Sequence, residues 1–567
     1  MINPNRLPTV FFLLAVLGFH QIFAQNPEQT NQTDTNQKID SIFRAFKGEV
    51  PGAVISVIRD GNVQTTKAYG MANLEYDVAN TSSTQFHVAS LSKQFTAFAI
   101  LLLQDQGKLS LDDNVRKYIP ELQDFGHTIT LRHLASHTSG LRDQWNLLLL
   151  MGVRLDDVIT NDHVVALIAN QKELNFIPGE EFLYCNTGFS LLAEVVARVS
   201  GKSFSAFTSE YIFGPLQMHQ TEFVDDFEKI YKNKAYSYYD RGNGNYYKRV
   251  LSFGTSGPSN LLTTAEDLGK WILNMENPKV GTPDIFLQMT TETPLNNGKT
   301  FGGGLGLFVG KRKGISEIQH GGADAGFRAH MSFFPAQKFG VLVLSNSGGS
   351  DTQSLAHQVA DLYLSQDYRE EKPAVSGIPE AKAIALPPGE MEKYVGSYWS
   401  KENAFSRRIY IKNDTLMHFR TLNNESPLMP TGPGEFKVMN VPVDARIRFE
   451  LQNGEMTLTE KVNDGSPTLL RPFVPVEYKE ADWLEFEGDF YSEELNTAYK
   501  IQWKNQKLQA SHIRMGTIDL SLIKHNFFSG NRGFFGSVEF VRNEENKVTG
   551  FRVSNGRVRN LLFEKME

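Results

Sequence analysis

An internal repeat in the last third of the chain restricts the fold more than any other feature. The segment 394–398 (YVGSY) matches the segment 486–490 (FEGDF), which lies 92 residues later. Both copies contain short runs in which apolar and polar residues alternate, and Asn, Asp and Gly separate these runs. Alternation with a period of two is typical of half-buried strands. The repeat therefore predicts two antiparallel β modules, each small and barrel-like, over 391–476 and 477–567.

The residues before the repeat predict a domain that mixes helices and strands. A β-hairpin begins near Pro51 with a turn at 60–62 (DGN), and a helix with apolar residues on nearly all sides follows over 90–106. Helical and loop patterns continue to about Asn274, after which three strand-like segments return. This pattern predicts an α/β (α+β) domain over 39–368, in which helices flank an antiparallel sheet and a helical insertion separates its two parts.

The remaining segments predict a linker and an exported protein. Residues 369–390 contain four prolines and predict a linker. Residues 1–24 carry Arg6 before an apolar run and contain no acidic residue, which is typical of a secretory signal peptide cleaved after Ala24. The alternative is a membrane anchor, but the apolar run is shorter than the ~18 to 20 residues that a spanning helix needs. The polar segment 25–38 predicts a disordered lead-in. We expect a periplasmic or secreted protein.

Composition excludes several classes of protein. The chain has 57 basic and 64 acidic side chains, a net charge of −7, so no basic field attracts nucleic acid. Cys185 is the single cysteine, which excludes an internal disulfide and a cysteine-rich zinc site. We expect no metal, no organic cofactor, no nucleic-acid partner and no membrane span once the signal peptide is removed. The sequence leaves the oligomeric state open.

Ser90 and Lys93 form an S-x-x-K motif at the start of the predicted buried helix. Residues three apart lie on one helix face, so the serine hydroxyl and the lysine amine can meet. A lysine whose pKa is lowered by burial or by positive charge can remove the serine proton, and the serine then attacks an acyl carbonyl. The helix N-terminus offers N–H groups to the oxyanion. So short a motif also occurs by chance, so its surroundings decide its weight.

Two further segments carry polar groups suited to the same chemistry. Tyr184 and Asn186 lie two residues apart after a Pro-Gly turn, where alternate positions of an extended loop face the same side. A tyrosine can share in proton transfer, and an asparagine amide can bind a substrate carbonyl and hold the lysine. The other segment is 320–323 (HGGA) at the end of a predicted strand. There Gly322 lets a ligand lie close to the strand, and the Ala323 N–H can donate to an oxyanion.

These three segments, in this order, resemble the motifs of the serine β-lactamase and penicillin-binding DD-peptidase family, most closely its class C and esterase-like branch. That family has S-x-x-K, then Y-x-N, then a K-T-G equivalent. The stretches 111–120, 131–141, 178–180 and 262–268 are also similar to the family, and the resemblance covers about residues 40–365. It implies the fold of that family and hydrolysis through an acyl-enzyme.

The resemblance also implies a role for each matching residue. It implies that Ser90 is the acylated nucleophile and that Lys93 and Tyr184 are the proton-transfer pair. It further implies that Asn186 contacts both substrate and lysine. The backbone amides of Ser90 and Ala323 would form the oxyanion hole.

His320 departs from the family pattern, because lactamases and DD-peptidases usually carry lysine at that position. Lysine is a fixed cation for a substrate carboxylate, whereas histidine is largely neutral above its ordinary pKa of about 6.5. Esterase-like and D-aminopeptidase-like members resemble the chain at His320, and D-aminopeptidases also resemble it in carrying two β-barrel domains after the catalytic one. We therefore expect a serine hydrolase for a small peptide, amide or ester, with the cell wall as one source of such a substrate.

Two alternatives stay open. Among enzymes the alternative is a β-lactamase, and His320 is the residue that would discriminate between a β-lactamase and the expected hydrolase. From another class, the alternative is a catalytically silent protein that binds cell-wall fragments or β-lactams. The presence of Ser90, Lys93, Tyr184 and Asn186 together favours an enzyme.

Two other features have simpler interpretations. His133 and His137 lie four residues apart and suggest a metal pair, but no third ligand stands at a recognisable spacing, so a structural role is favoured. Cys185 lies between two proposed site residues. We expect its small side chain to point away from both, since alternate residues of an extended segment face opposite sides.

Overall fold

The structure is a computed structural model of the 567-residue chain. It describes residues 27–369, 383–384, 386, 388–400, 405–421, 424–441, 443–462 and 467–567. The chain divides into two compact units, Met1–Ala45 and Phe46–Glu567. The predicted signal peptide, 1–24, and most of the predicted linker, 370–382, lie outside the described residues.

The first unit contains the helix α1 (Pro27–Ile42). This helix covers most of 25–38, for which the polar composition predicts a disordered lead-in. Pro27 stands at the first helical position, where its missing N–H costs no hydrogen bond, and no later proline or glycine interrupts the helix. Asp34 and Lys38 form an ion pair at 2.5 Å one turn apart. These polar residues are compatible with a helix, so composition alone does not distinguish the two states.

The N-terminal region of the second unit, 46–369, combines a sheet with a large set of helices. Its strands are β1 (Ala53–Arg59), β2 (Asn62–Tyr69), β3 (Met71–Asn73), β4 (Val78–Ala79), β5 (Phe86–His87), β6 (Glu222–Phe223), β7 (Ser237–Asp240), β8 (Tyr246–Arg249), β9 (Leu261–Thr263), β10 (Phe308–Arg312), β11 (Ile315–Asp324), β12 (Phe327–Phe334) and β13 (Phe339–Ser345). Its helices are α2 (Ser92–Asp105), α3 (Leu131–Ala135), α4 (Gln144–Met151), α5 (Asn161–Ala169), α6 (Asn186–Ser200), α7 (Phe204–Thr208), α8 (Ala265–Glu276), α9 (Pro283–Thr290) and α10 (Thr352–Leu364). The helices α2 to α9 all lie between β2 and β10 in the chain, as the predicted helical insertion requires.

A six-stranded antiparallel sheet forms the centre of this region. Its strand order is β10-β11-β12-β13-β1-β2. β1 and β13 pair along their whole length, from Ala53 opposite Ser345 to Arg59 opposite Phe339. Both strands are almost fully buried, and helices α8 and α10 pack against this part of the sheet. The predicted antiparallel sheet, built from both ends of the domain and flanked by helices, is confirmed.

Two closed antiparallel barrels of eight strands follow. The first has α11 (Pro388–Met391) before β14 (Gly396–Ser400), β15 (Phe405–Lys412), β16 (Thr415–Thr421), β17 (Asn424–Gly432), β18 (Glu435–Val438), β19 (Ala445–Gln452), β20 (Glu455–Val462) and β21 (Thr468–Phe473). The second has α12 (Glu480–Leu484) before β22 (Gly488–Ser492), β23 (Thr497–Lys504), β24 (Lys507–His512), β25 (Gly516–Lys524), β26 (Phe527–Arg532), β27 (Phe535–Arg542), β28 (Val548–Asn555) and β29 (Val558–Lys565). Gly396 pairs with Ile409 and Gly488 with Ile501, so the repeated sequence forms the same pairing twice.

The second barrel shares an apolar core with the N-terminal region, whereas the first barrel has a core of its own. Tyr499 of β23 is buried, and its hydroxyl donates to the Leu150 carbonyl oxygen at 3.1 Å. At the end of α4, Gly152 has a φ of 90°, and a Cβ there would lie 2.0 Å from the His512 ring. Only glycine allows both that backbone conformation and that approach. The second barrel is therefore packed directly on the helical insertion.

A buried ion pair crosses this interface. The Arg142 side chain is fully buried, and its Nη1 donates to Glu494 Oε2 at 2.6 Å. The same guanidinium donates from Nε and Nη2 to the Arg559 carbonyl oxygen at 3.2 and 3.0 Å. Glu494 also accepts from the Lys172 backbone N–H at 2.9 Å. Burial lowers the pKa of Arg142, and the Glu494 carboxylate opposes that shift. The charge is tolerated in the interior because it is paired and hydrogen-bonded.

We expect Glu494→Ala to lower the free energy of unfolding by about 3 to 5 kcal/mol, because the buried Arg142 guanidinium then keeps, of its two carboxylate contacts, only the 3.3 Å contact with the partly exposed Glu173 carboxylate. Glu493→Ala is the matched control, since Glu493 pairs with Lys172 at the exposed surface, where a pair contributes roughly 0.2 to 1 kcal/mol. Urea denaturation of both variants, followed by tryptophan fluorescence, measures the difference. Equal losses in the two variants would contradict a stabilising role of the buried pair.

Candidate active site

Ser90 lies in a short 3₁₀ turn, Ala89–Leu91, that leads into α2. Ala89 has a φ of 49°, in the left-handed region that residues with a side chain seldom adopt. Such a backbone persists where the surrounding structure holds it. Here Ser92 Oγ donates to the Ala89 carbonyl oxygen at 2.6 Å and accepts from the Leu261 N–H at 3.1 Å. The turn thus places Ser90 at the N-terminal end of a buried helix.

Oxygen atoms surround the amine of Lys93, whose side chain is fully buried. Nζ donates to Ser90 Oγ at 3.1 Å. It also donates to Asn186 Oδ1 at 2.8 Å and to the Pro258 carbonyl oxygen at 2.8 Å. The structure therefore brings the two residues of the S-x-x-K motif into direct contact and adds Asn186 to the same hydrogen-bond network.

The surroundings of Lys93 also change its protonation. Burial lowers its pKa from 10.5 to about 7. The Asp143 carboxylate works against this shift, and the Arg557 guanidinium adds to it. Near pH 7 a large fraction of the amine is therefore neutral and able to accept a proton.

Tyr184 lies beside Ser90, and the Ser90 side chain acts to lower the pKa of the Tyr184 phenol. Burial raises the pKa of Tyr184 above its ordinary value of 10, so the phenol keeps its proton at neutral pH. Its ring stacks on His137 with 4.2 Å between ring centroids, and Lys93 Nζ lies 4.8 Å from the ring centre. Burial lowers the pKa of His137 well below 6.5, so the imidazole against the tyrosine is neutral. Tyr184 thus lies beside both Ser90 and Lys93.

Asn186 is the first residue of α6 rather than part of an extended loop. Its backbone N–H and its Nδ2 both donate to Asp143 Oδ2 at 2.7 Å. Asp143 is buried and caps α4, since its Oδ1 accepts from the Trp145 N–H at 3.1 Å. Asp143 therefore orients the Asn186 amide so that Oδ1 faces Lys93. Our sequence analysis missed Asp143, although an aspartate directly before an apolar helix is the signal of an N-cap.

The segment 320–323 lies near the end of β11, which runs beside the turn that holds Ser90. A Cβ at Gly322 would lie 2.2 Å from the Val88 carbonyl oxygen, so a glycine is required for this approach. Ala323 follows and lines the same cleft as Ser90. The structure thus brings the third motif to Ser90, which is two hundred or more residues away in the chain.

His320 is buried and lines the cleft as a neutral side chain. Its Nδ1 lies 2.6 Å from the Gly321 carbonyl oxygen, and because a carbonyl only accepts, Nδ1 carries the proton. Nε2 is then an acceptor, and it has no hydrogen-bond partner within the described part of the chain. Burial, reinforced by the charge of Lys93, lowers the pKa of His320 to about 3. His320 therefore presents no positive charge to a substrate carboxylate.

A cleft of about 590 Å³ opens over Ser90. Residues outside the three motifs also line it, among them Trp145, Phe253, Phe308, Ser259, Asp324, Arg328 and Arg557. Asp324 Oδ2 accepts from Ser259 Oγ at 3.0 Å, and His87 Nε2 lies 3.3 Å from the same oxygen. The walls thus combine aromatic surface with charged groups, as pockets for small ligands commonly do.

Arg557 was missed by our sequence analysis and comes from the second barrel. It lies in the turn between β28 and β29. Its guanidinium carbon is 4.8 Å from the centre of the Tyr184 ring. No motif of the sequence connects this turn with the N-terminal region, so only the packing of the barrel reveals the contact.

The side chains of His133, His137 and Cys185, which the sequence also singled out, make structural contacts. His133 forms a capping box with Thr130 at the start of α3. His137 Nδ1 accepts from the Cys185 N–H at 3.0 Å. The Cys185 thiol is buried and points to the Leu141 carbonyl oxygen at 3.3 Å, and burial raises its pKa to about 12. Cys185 is therefore a protonated core side chain rather than a nucleophile.

Comparison with known proteins gives relatives for the N-terminal region. A family model described as Beta-lactamase matches residues 39–364. "Protein flp" of Staphylococcus aureus (strain MW2) is 29% identical over 332 residues, which are 55% of this chain and 63% of that protein. A D-aminopeptidase of Cereibacter sphaeroides is 28% identical over 346 residues, which are 60% of this chain and 63% of that protein. The chain thus spans less than two thirds of the length of these relatives.

Solved structures share the fold. The octameric penicillin-binding protein homologue from Pyrococcus abyssi superposes with a TM-score of 0.53, covering 79% of this chain and 100% of that one at 23% identity.

Within the described residues, none of the helices combines the length and apolar character that crossing a bilayer requires.

The family match extends over more than half of the chain and includes all three motifs around the cleft. The resemblance that these motifs indicate is therefore confirmed. The chain belongs to the Beta-lactamase family.

Proposed function

We propose that this protein is an exported serine hydrolase that forms an acyl-enzyme on Ser90 and acts on a small peptide, amide or ester. The observation that carries the proposal is the 3.1 Å contact between Ser90 Oγ and the buried Lys93 amine, whose pKa is lowered to about 7. Such a pair meets the requirement for an activated serine, namely a base within hydrogen-bond reach that is neutral at working pH. Export rests on the signal-peptide pattern of residues 1–24.

The proposed reaction has two halves, acylation of Ser90 and hydrolysis of the acyl-enzyme, and the same groups act in both. The neutral Lys93 amine accepts the Ser90 proton while Oγ attacks the acyl carbonyl, and the Ser90 and Ala323 N–H groups donate to the oxyanion. Tyr184 passes a proton to the leaving amine or alcohol and receives one from Lys93. Water then attacks the acyl-enzyme, and the same groups act in reverse to release the acid.

Lys93 suits the role of base better than Tyr184 does. Burial acts on both side chains, but it favours the neutral form of each. For the lysine the neutral form is the base, and its pKa is lowered to about 7. For the tyrosine the neutral form is the acid, because its pKa is raised. The two groups can therefore form an acid and base pair with one proton between them.

The relatives and the cleft support the proposed substrate class. The name of the D-aminopeptidase relative supports a peptide or amide with a D residue. A cleft of about 590 Å³ is large enough for a short peptide or ester and too small for a folded protein. We therefore place the substrate among small D-peptides, amides and esters, with cell-wall fragments as one source.

We expect Ser90→Ala to keep the fold and to lower turnover by at least about 10³-fold, because the remaining groups have no nucleophile. Intact-protein mass after brief exposure to a penicillin, an activated short-chain ester and a D-amino-acid amide should show an acyl adduct in the wild type alone. Ser350→Ala is the control, since it removes another hydroxyl that lines the cleft and should keep the adduct. An adduct in Ser90→Ala, or none on the wild type with any probe, would refute the proposal.

We also expect the rate of acylation to rise with pH and to level off above about pH 7, because the protonated Lys93 amine cannot accept the serine proton. Stopped-flow measurement of acylation by an activated ester between pH 5 and pH 9 records this rising limb of the pH–rate profile, the acylation limb. Lys93→Ala should lose both the limb and most of the rate. A near-normal rate in Lys93→Ala would instead assign the base to Tyr184.

A further inference from the structure

The turn that carries Arg557 is fixed against the N-terminal region through its main chain. The Arg557 carbonyl oxygen accepts from the Asp143 N–H at 3.2 Å and from Asn175 Nδ2 at 3.0 Å. Asn555 Oδ1 accepts from Asn146 Nδ2 at 2.7 Å and from the Arg557 N–H at 3.0 Å. The position of Arg557 beside the cleft therefore does not depend on its side chain.

The Arg557 guanidinium, in contrast, has no hydrogen-bond partner within the described part of the chain. Its Nη1 lies 4.0 Å from Asp143 Oδ2, beyond hydrogen-bond distance, and that oxygen already accepts two N–H groups of Asn186. The side chain is 41% exposed and lies over the Tyr184 ring. A planar cation with five N–H donors is thus available at the mouth of the cleft.

The other cations of the cleft are already engaged. Arg328 donates to the Phe327 carbonyl oxygen at 2.6 Å and to Tyr239 Oη at 2.5 Å. The Lys93 amine is buried among its three oxygen partners. Arg557 is therefore the cation of this cleft that is open to a ligand, among the residues that the structure describes.

The carboxylates of the cleft, by comparison, are used within the protein. Asp324 accepts from Ser259 Oγ at 3.0 Å and from the Ala325 N–H at 3.0 Å. Asp351 caps α10 by accepting from the Ser354 N–H at 2.9 Å. The cleft therefore offers an uncommitted positive group and holds its negative groups in internal hydrogen bonds.

We propose that Arg557 is a specificity-determining residue that the second barrel supplies to the cleft, where it binds a carboxylate or similar anionic group of the acyl compound that Ser90 attacks. This inference rests on the proposed function, since it names a substrate class for that site. A guanidinium matches a carboxylate with two parallel N–H donors, and partial burial strengthens the pairing. A substrate ammonium group at the same place would be repelled.

Arg557 also acts on Lys93 through its charge. Burial is the largest cause of the lowered pKa of Lys93, and the Arg557 cation adds to it. Removal of that cation should therefore move the acylation limb to higher pH. The other ionisable groups that act on Lys93 or feel its charge stay in place, namely Asp143, Asp324, Cys185, His137 and His320. A turn with a merely structural role would not shift the limb.

The test uses the full chain and matched probes whose main difference is the charge of one group. Three 4-nitrophenyl esters carry six-carbon acyl groups that end in methyl (hexanoate), carboxylate (adipate) or ammonium (6-aminohexanoate). Phenyl acetate and 3-carboxyphenyl acetate form the pair for an anion on the leaving group. We expect Arg557→Gln to lower kcat/KM for at least one carboxylate probe by about 10- to 100-fold and to leave the neutral probes within about threefold.

Two further variants serve as controls. Arg557→Lys keeps the charge and loses the two-pronged donor, so we expect an intermediate loss and an unmoved pH limb. Arg559→Gln is the matched control, because Arg559 pairs with Glu181 at 2.9 Å, away from the cleft lining. It should leave the selectivity between charged and neutral probes as in the wild type. Thermal midpoints verify that each variant is folded.

These measurements distinguish a failure of the Arg557 inference from a failure of the proposed function. If Arg557→Gln lowers kcat/KM by the same factor for anionic and neutral probes while the Ser90 adduct still forms, the role of Arg557 is overturned and the acyl-enzyme proposal stands. A larger loss for the ammonium probe than for the carboxylate probes would also overturn it. No adduct on wild-type Ser90 with any probe would refute the proposed function and this inference together.

Discussion

The buried amine of Lys93 is the constraint on which the rest of the site depends. An isolated ammonium in a protein interior costs several kcal/mol, so it must be paired or lose its proton. This protein does both, since three oxygen atoms surround Nζ and burial lowers its pKa to about 7. The Asn186 amide is one of those partners, and Asp143 in turn orients it. Ser90 is thereby placed next to an amine that burial makes largely neutral near pH 7.

Burial also sets the protonation of the groups around the lysine. It keeps Tyr184 a phenol and keeps the imidazoles of His137 and His320 neutral. A desolvated site favours the neutral form of every ionisable group, but the neutral form is a base only for lysine and histidine. Of these, Lys93 is the one in contact with Ser90 Oγ. The desolvation that accompanies core packing therefore also sets the protonation of the groups around Ser90.

The second barrel is part of this site and not only an appended module. It shares the apolar core of the N-terminal region, pairs Glu494 with the buried Arg142, and brings Arg557 to the cleft. The first barrel arises from the same repeat but has a core of its own. When Gly465 is aligned with Gly556, 91 residues later, the first copy has Ser466 where the second has Arg557. The two copies therefore share a strand pattern, while the second one packs on the N-terminal region.

The sequence alone determined the two β modules and the contact of Ser90 with Lys93, because both depend on patterns between residues close together in the chain. The period-two repeat predicted the two β modules, and the three-residue spacing of Ser90 and Lys93 predicted their contact across one helix turn. Composition did not predict that 27–38 is helical, since polar residues suit both states. Tertiary structure alone decided that Asp143 contacts Asn186 and that Arg557 lies over Tyr184, because these partners are far apart in the chain. It also decided the pKa of Lys93, because desolvation depends on which residues surround a group in space and not on its neighbours in sequence.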